Sequence, residues 1–442
     1  RREDPDDAGR LKMTQRIQAD LLISGAASLV TVAGPAGPFA GPLAGHLGEI
    51  RQASLAALAG RILAVGPKSE VEPRLARAPG AVVVDAAGRC VLPGLVDPHT
   101  HVVFAGDRAD EYALRQSGAT YGEILKAGGG ILETVRRTRA ASDEELSEQS
   151  RRRLRRMLAL GTTTVEIKSG YGLDVPSELR MLRLAARLGE ATPPRVVTTL
   201  LGAHAIPPAY ARNREDYVDL VCDEMIPAVA AAGLASFCDV FCDVGAFDVR
   251  ESRRVLEAGL RQGLRPKLHA DQLAASGGAL LAAELGAVSA DHLDFVDEEG
   301  MRALAARGVI AVLLPGAALV LRHRRHAPAR QLIEMGVPVA LATDCNPGSC
   351  PIESLPLITS LACALLAMTP AEALVAATRN AAYAVGLGDE VGSLEVGKMA
   401  DLIVVDAPAP HHLPYRFGTD LVRVVVVGGK VVVDKADATN GG

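Results

Sequence analysis

Short runs of β-branched and other aliphatic residues cluster at the two ends of the chain. Towards the N-terminus they are Leu21-Leu22-Ile23, Ile62-Leu63-Ala64-Val65 and Val82-Val83-Val84. Towards the C-terminus they are Leu402-Ile403-Val404-Val405, Val422-Arg423-Val424-Val425-Val426-Val427 and Val431-Val432-Val433. Separated by Gly and Asp, they predict a sheet to which both termini contribute, with a Pro/Gly/Ala loop at 34–45 between its strands. Between about Val91 and Leu387 the pattern changes. Apolar runs there alternate with segments of helical length, at 143–160, 177–188 and 250–262 among others, as in a parallel sheet with crossover helices. Eight apolar runs end near His101, Lys168, His204, Asp243, His269, His292, Pro315 and Asp344. The predicted class is α/β: a (β/α)8 TIM-like barrel at 91–387 with a small β-sandwich domain formed by 13–90 and 388–435. Residues 1–12 are expected to be a tag or non-native extension, because the chain starts without Met and Met13 makes a sensible initiator.

In such a barrel the chemistry gathers at the C-terminal ends of the strands. The run Leu92-Pro93-Gly94-Leu95-Val96-Asp97-Pro98-His99-Thr100-His101 ends in His-x-His, and along an extended strand His99 and His101 point the same way, about 7 Å apart. Of the ten histidines, His99, His101, His204, His269 and His292 all fall at predicted strand ends. Any one of them alone reads as a satisfied core or surface histidine; their recurrence does not. His269 closes a weak strand signal, since Pro266 cannot donate to a ladder, and its place in the alternation carries the reading. Asp344 ends the apolar stretch 337–343. With His99, His101 and His269 it supplies three imidazoles and a carboxylate, a set that suits one Zn²⁺ or Fe²⁺ and leaves room for water. Asp344 both ligates and takes the proton of that water in this reading; otherwise it is a helix N-cap or turn residue. His292 is the candidate second proton carrier, or else a structural hydrogen-bonding residue. Two metals would need a bridging anion, often a modified lysine on the fourth strand, and Cys238-Asp239-Val240-Phe241-Cys242-Asp243 has none. Lys168 sits on the second strand beside Glu166 on the same face, where the two are expected to pair.

Composition narrows the partners. The formal net charge of −5 provides no basic field, which argues against nucleic acid and leaves a small molecule as the expected partner. Arg322-His323-Arg324-Arg325 reads as a solvated face or a small anion contact. Seven cysteines without framework spacing suggest free thiols, Cys238 and Cys242 buried among them, in a reducing compartment. The apolar stretches 308–321 and 355–368 fall short of the roughly 20 residues a bilayer span needs. With no signal-like pattern at the N-terminus, a cytoplasmic protein without membrane attachment is expected.

The motifs themselves resemble a known family. Pro93-Gly94-Leu95-Val96-Asp97 leading into His99 and His101, with Gly397-Lys398-Met399-Ala400-Asp401-Leu402 near the end, is similar to the amidohydrolase superfamily over nearly the whole chain from Met13. The resemblance implies a metal-bearing barrel with a small β-domain built from both termini. More specific segments are Phe104-Ala105-Gly106-Asp107-Arg108, Ala127-Gly128-Gly129-Gly130-Ile131, Lys168-Ser169-Gly170-Tyr171-Gly172-Leu173 and Thr343-Asp344-Cys345-Asn346-Pro347-Gly348. They resemble the branch of histidine degradation that hydrolyses the cyclic amide of 4-imidazolone-5-propanoate to N-formimidoyl-L-glutamate. That resemblance implies His99, His101, His269 and Asp344 as metal ligands. It also implies substrate contacts from Arg108, Tyr171, His204, Gln272, Asn346, Gly348 and Ser349, and a homodimer. A guanidinium such as Arg108 suits the propionate in bidentate fashion, unless it pairs with Asp107 or Asp110. The expected chemistry is attack of an activated water on the ring carbonyl, with the oxyanion held by the metal or His204 and the leaving nitrogen protonated by His292. Some members of this branch carry Glu where this chain has Gln272, which orients substrate but shuttles no proton. Ser349 stands where the branch often has Thr and keeps the hydroxyl. The rival readings are another cyclic amidase or a deaminase on the same scaffold, and a metal-free scaffold protein that should have lost ligands.

Overall fold

The computed structural model describes residues 17–118, 123 and 129–435. Met13 with the segment 1–12, and the Ala127-Gly128 start of the glycine run, lie outside the described residues.

Two eight-stranded sheets organise the chain. The terminal sheet takes β1 (Ile17–Val30), β2 (Glu49–Leu58), β3 (Arg61–Pro67), β4 (Leu75–Asp85) and β5 (Cys90–Pro93) from the N-terminal side. The barrel takes β6 (Leu95–Asp97), β7 (Thr162–Lys168), β8 (Arg195–Ala203), β9 (Phe237–Cys242), β10 (Arg265–Ala270), β11 (Ser289–His292), β12 (Ile310–Leu313) and β13 (Val339–Leu341). The chain then returns to the terminal sheet with β14 (Leu402–Val405), β15 (Val422–Val427) and β16 (Lys430–Asp434). The terminal sheet runs β16-β15-β14-β5-β1-β2-β3, with β4 also on β1, so both ends of the chain build it as expected.

The barrel strands lie in chain order and every neighbouring pair is parallel. Helices cross over between strands, for example Asp143–Ala159, Val175–Ala191 and Val249–Arg261. The first and last of these start on capping boxes, Ser142 with Glu145 and Asp248 with Glu251, which pair N-terminal N–H groups that have no partner inside the helix. Near-closure comes just beyond the last strand. Thr100 bridges Cys345 in parallel, His101 N–H donates to Cys345 O at 3.0 Å and Asp344 N–H to His99 O at 3.0 Å.

The apolar run before His-x-His is not one strand. Leu92 and Pro93 pair with Ile403 and Leu402 in the terminal sheet, whereas Leu95 and Val96 pair with Thr162 and Thr164 in the barrel. Gly94 makes the handover, because a Cβ there would meet Thr163 Oγ1 at 2.2 Å. A large buried cluster packs barrel strands against their helices, a second including Val96, Val312 and Ala340 joins β6, β12 and β13, and another including Leu21, Ile23, Leu55, Leu402 and Val426 lies in the terminal sheet. All seven cysteines are free. Among the described residues no helix is long and apolar enough to cross a membrane.

Candidate active site at the C-terminal rim of the barrel

The rim brings together side chains that are far apart in sequence. His99, His101, His269, His292 and Asp344 are each at most 3% exposed. Because the chain after β6 pairs with the chain after β13, His99 Nε2 and His101 Nε2 both lie 3.6 Å from Asp344 Oδ1. The His269 ring, on β10, is centred 4.4 Å from that of His99 and 5.6 Å from that of His101. His292, ending β11, is 5.4 Å from both His99 and His269. His204, just past β8 and half-buried, stacks on His101 at 5.1 Å.

Nitrogens here are buried without hydrogen-bond partners: His99 Nε2, His269 Nε2, His101 Nδ1 and His292 Nδ1. Leaving such an atom unpaired costs about 1–3 kcal/mol, so four together point to something the chain itself does not supply. Their partner atoms are aimed. Asp291 Oδ2 lies 2.6 Å from His99 Nδ1, and Asp239 Oδ2 lies 3.1 Å from His269 Nδ1. A carboxylate accepts only, so each Nδ1 carries the proton and each Nε2 offers a lone pair to the centre. Three overlapping groups have ligand atoms within 4.8 Å of one another: His99-His269-His292, His101-His204-His269 and His99-His101-Asp344. His99, His101 and His269 each belong to two of them. The donor set therefore fits a divalent cation, with nitrogen ligands and one carboxylate.

Burial first, and the neighbouring Lys168 and imidazoles after it, holds His99 and His101 well below the usual histidine range. Burial does the same to His292, and lowers His204 to about 3. These rings are neutral near neutral pH, the form in which imidazole ligates or accepts a proton. Burial also pushes Asp344 up to about 7. Asp344 and His292 sit at φ 55° and 78°, in the left-handed region that a non-glycine residue enters at a cost of about 1–3 kcal/mol. This strain is held at the ends of β11 and β13, on either side of β12.

A layer of charge lies just behind these rings, and the sequence reading found only part of it. Lys168 Nζ meets Glu166 at 3.0 Å, as expected, but also Asp239 at 2.7 Å and Asp291 at 3.5 Å. Lys267 Nζ meets Glu166 at 2.8 Å and the Pro98 carbonyl at 3.0 Å. All five side chains are fully buried. Burial alone would strip the Lys168 proton, yet Asp239, Glu166 and Asp291 hold its pKa well above the ordinary value. A signal for Asp239, Lys267 and Asp291 exists in hindsight: charges within buried barrel strands need partners inside.

In front of the rings opens a cavity of about 730 Å³. Arg108, Tyr171, His204, Gln272, Asn346, Gly348 and Ser349 all line it, with His101, His269, His292 and Asp344 on the same wall; His99 lies behind. Local structure explains their placement. Glu178 accepts from the backbone N–H groups of Gly170, Gly172 and Leu173 at 2.7–2.9 Å and so shapes the loop that carries Tyr171. Gly170, at φ 105°, also faces His204 so closely that a Cβ would meet Nδ1 at 2.7 Å. His204 Nδ1 lies 3.0 Å from Gly170 O. Asn346 donates to Asp344 O and Ser349 Oγ and accepts from Gly348 and Ser349 N–H, so it braces its own loop. Gln272 is held through its backbone N–H, which donates to Asp243 at 2.7 Å. Arg108 does pair with a carboxylate, but that of Glu111, not Asp107 or Asp110. In the basic cluster Arg322, Arg324 and Arg325 are exposed, while His323 turns into the cavity wall.

Known proteins resemble the chain at both levels. The Amidohydrolase family model matches residues 111–433. Imidazolonepropionase of Symbiobacterium thermophilum is 52% identical over 417 residues, 94% of this chain and 98% of that protein. Imidazolonepropionase of Geobacillus kaustophilus is 52% identical over 416 residues, again 94% and 98% of the two chains. Among solved structures, an adenosine deaminase from Xanthomonas campestris with bound zinc superposes with a TM-score of 0.70 at 22% identity, covering 95% of this chain and 94% of that one. This likeness shows the fold.

Proposed function

The chain belongs to the imidazolonepropionase branch of the amidohydrolase family, and we propose that it hydrolyses the cyclic amide of 4-imidazolone-5-propanoate to N-formimidoyl-L-glutamate. One observation carries the reading: overlapping groups of histidine and aspartate ligand atoms, with ring nitrogens left unpaired among them, lie at a cavity that is also lined by a guanidinium. His99, His101, His269 and Asp344 would hold one divalent cation, zinc or iron, both of which accept this ligand set. When bound, the ion supplies a Lewis acid that polarises a carbonyl and lowers the pKa of water.

The chain's own residues do the rest. Arg108 lines the same cavity and attracts the propionate. Tyr171, 5.7 Å from His101 and 5.4 Å from His204 between ring centres, packs beside the imidazolone ring. His204 departs from its expected role. A carbonyl only accepts, so Nδ1–H points at Gly170 O and the neutral ring presents Nε2 to the cavity as an acceptor. It therefore binds a substrate N–H and leaves oxyanion stabilisation to other groups. Asp344 is placed to take the proton of the attacking water, and His292, 5.4 Å from both His99 and His269 between ring centres and neutral at rest, accepts that proton and passes it to the leaving ring nitrogen. Gln272 donates or accepts a hydrogen bond and moves no proton.

The test is incubation of metal-loaded protein with freshly made 4-imidazolone-5-propanoate, with product identified by mass. Formation of N-formimidoyl-L-glutamate well above the spontaneous rate is expected. No excess would remove this substrate, and turnover of another cyclic amide or an aminated ring would favour a different amidohydrolase reaction.

A further inference from the structure

Two guanidinium groups, not one, stand at the anion end of the cavity. Arg108 caps the helix Ala109–Gln116 and Arg115 lies in its last turn, with Glu111 between them. Glu111 accepts from Arg108 Nε at 2.7 Å and from Arg108 Nη2, from Arg115 Nη2 at 3.0 Å, and from Gly130 N–H at 2.9 Å. Its carboxylate is 7% exposed and held below the usual glutamate range, because these donors outweigh the burial that would raise it. Among the described residues two guanidiniums share this one carboxylate, an excess of one positive charge within the trio.

The geometry also limits what Arg108 can do alone. Its Nε–Nη2 edge, the one best shaped for a carboxylate, is engaged by Glu111. Both Nη1 hydrogens and the second Nη2 hydrogen remain, with Nη1 beside Gly348, where a Cβ would approach it to 2.0 Å. Arg115 adds a second guanidinium. Its Nη2 lies 3.4 Å from Gly348 O, its side chain lines the same cavity, and its Nη1 is buried with no hydrogen-bond partner among the described residues. A buried charged donor without an acceptor is destabilising unless a ligand provides one.

We propose that Arg115 determines specificity: Arg108 Nη1 and Arg115 Nη1 each donate to the substrate carboxylate, and Glu111 holds both guanidiniums in place. The inference rests on the reading of the substrate as a carboxylate-bearing imidazolone, and it deepens that reading by explaining how an anionic tail is told from a neutral one.

The test uses imidazolepropionate, which has no ring carbonyl to hydrolyse, and its uncharged amide. Binding of each to metal-loaded wild type, Arg115→Met and Arg115→Lys is measured by calorimetry, with thermal unfolding as a check on folding. In Arg115→Met the preference for carboxylate over amide should fall roughly 10- to 100-fold while amide affinity holds. Arg115→Lys, which keeps the charge, should recover part of it. Equal weakening of both ligands would assign Arg115 a structural role through Glu111, and unchanged carboxylate affinity would remove it from the site; either overturns the clamp. The substrate reading fails separately. A wild type that prefers the carboxylate yet leaves 4-imidazolone-5-propanoate intact keeps the clamp and loses the reaction.

Discussion

Two neighbouring layers of the barrel handle buried polarity in opposite ways. In the layer of Glu166, Lys168, Asp239, Lys267 and Asp291, every charge has an opposite charge within 3.5 Å. One step towards the rim, His99, His101, His269 and His292 each keep a ring nitrogen with no hydrogen-bond partner. The unpaired nitrogens are themselves buried, so solvent does not explain the contrast. The difference lies in what each can satisfy from within. The lower layer is closed, and through Asp239 and Asp291 it fixes the orientation of the rings above. Three carboxylates against two ammonium groups also leave it one net negative charge, which favours a cation among the imidazoles.

Substitutions should separate the layers. The largest effect is expected for His269→Ala in the open layer: turnover falls on the order of 10³-fold with loss of metal, while the metal-free protein unfolds no more easily than wild type. Metal analysis beside urea unfolding checks both halves. In the closed layer Lys168→Met strands Asp239 and Asp291 without their cation, and the metal-free protein should lose about 3–5 kcal/mol in the same unfolding experiment. If Lys168→Met left stability intact and His269→Ala destroyed it, the contrast between the layers would be wrong.

His292→Asn divides the open layer itself. As a proton carrier outside the ligand set, it should lower turnover by about 10²-fold or more while metal content stays at the wild-type level. Loss of metal in that variant would make His292 a ligand.

Asp294, two residues further on and 4% exposed, gives the smallest effect and a pH signature. Burial raises its carboxyl from 3.8 to about 7, so the folded state holds a proton that the unfolded state releases between those values. Stability linked to it is therefore present at low pH and lost as pH rises through 7. Asp294→Asn should be more stable than wild type by on the order of 2 kcal/mol at about pH 8.5, with the gain gone near pH 4. An advantage that grew on acidification would contradict this.

What could be read from the chain follows the same division. Strand ends were legible because an apolar run that stops on a histidine or aspartate is a strong local signal, and His99, His101, His269, His292 and Asp344 all stand on one. The handover at Gly94 was not, since Leu92-Pro93 and Leu95-Val96 look alike and only Thr163 across the barrel separates them. Strand β2 escaped notice because three of its first four residues, Glu49, Arg51 and Gln52, are polar and the buried positions start only at Ala53. Asp239 and Lys267 sat in strands that looked weak or merely apolar, and their pairing through register is a property of two strands at once. Arg115 carried no signal, since an arginine four residues after a glutamate normally reads as a solvated helix face.

The central claim is that His99, His101, His269 and Asp344 form one cation site. Titrating zinc or ferrous ion into chelator-stripped protein, with bound metal counted per chain, tests it most directly. One tightly held ion per chain, absent in His269→Ala, is the predicted result. Two ions per chain, or none, would contradict the account.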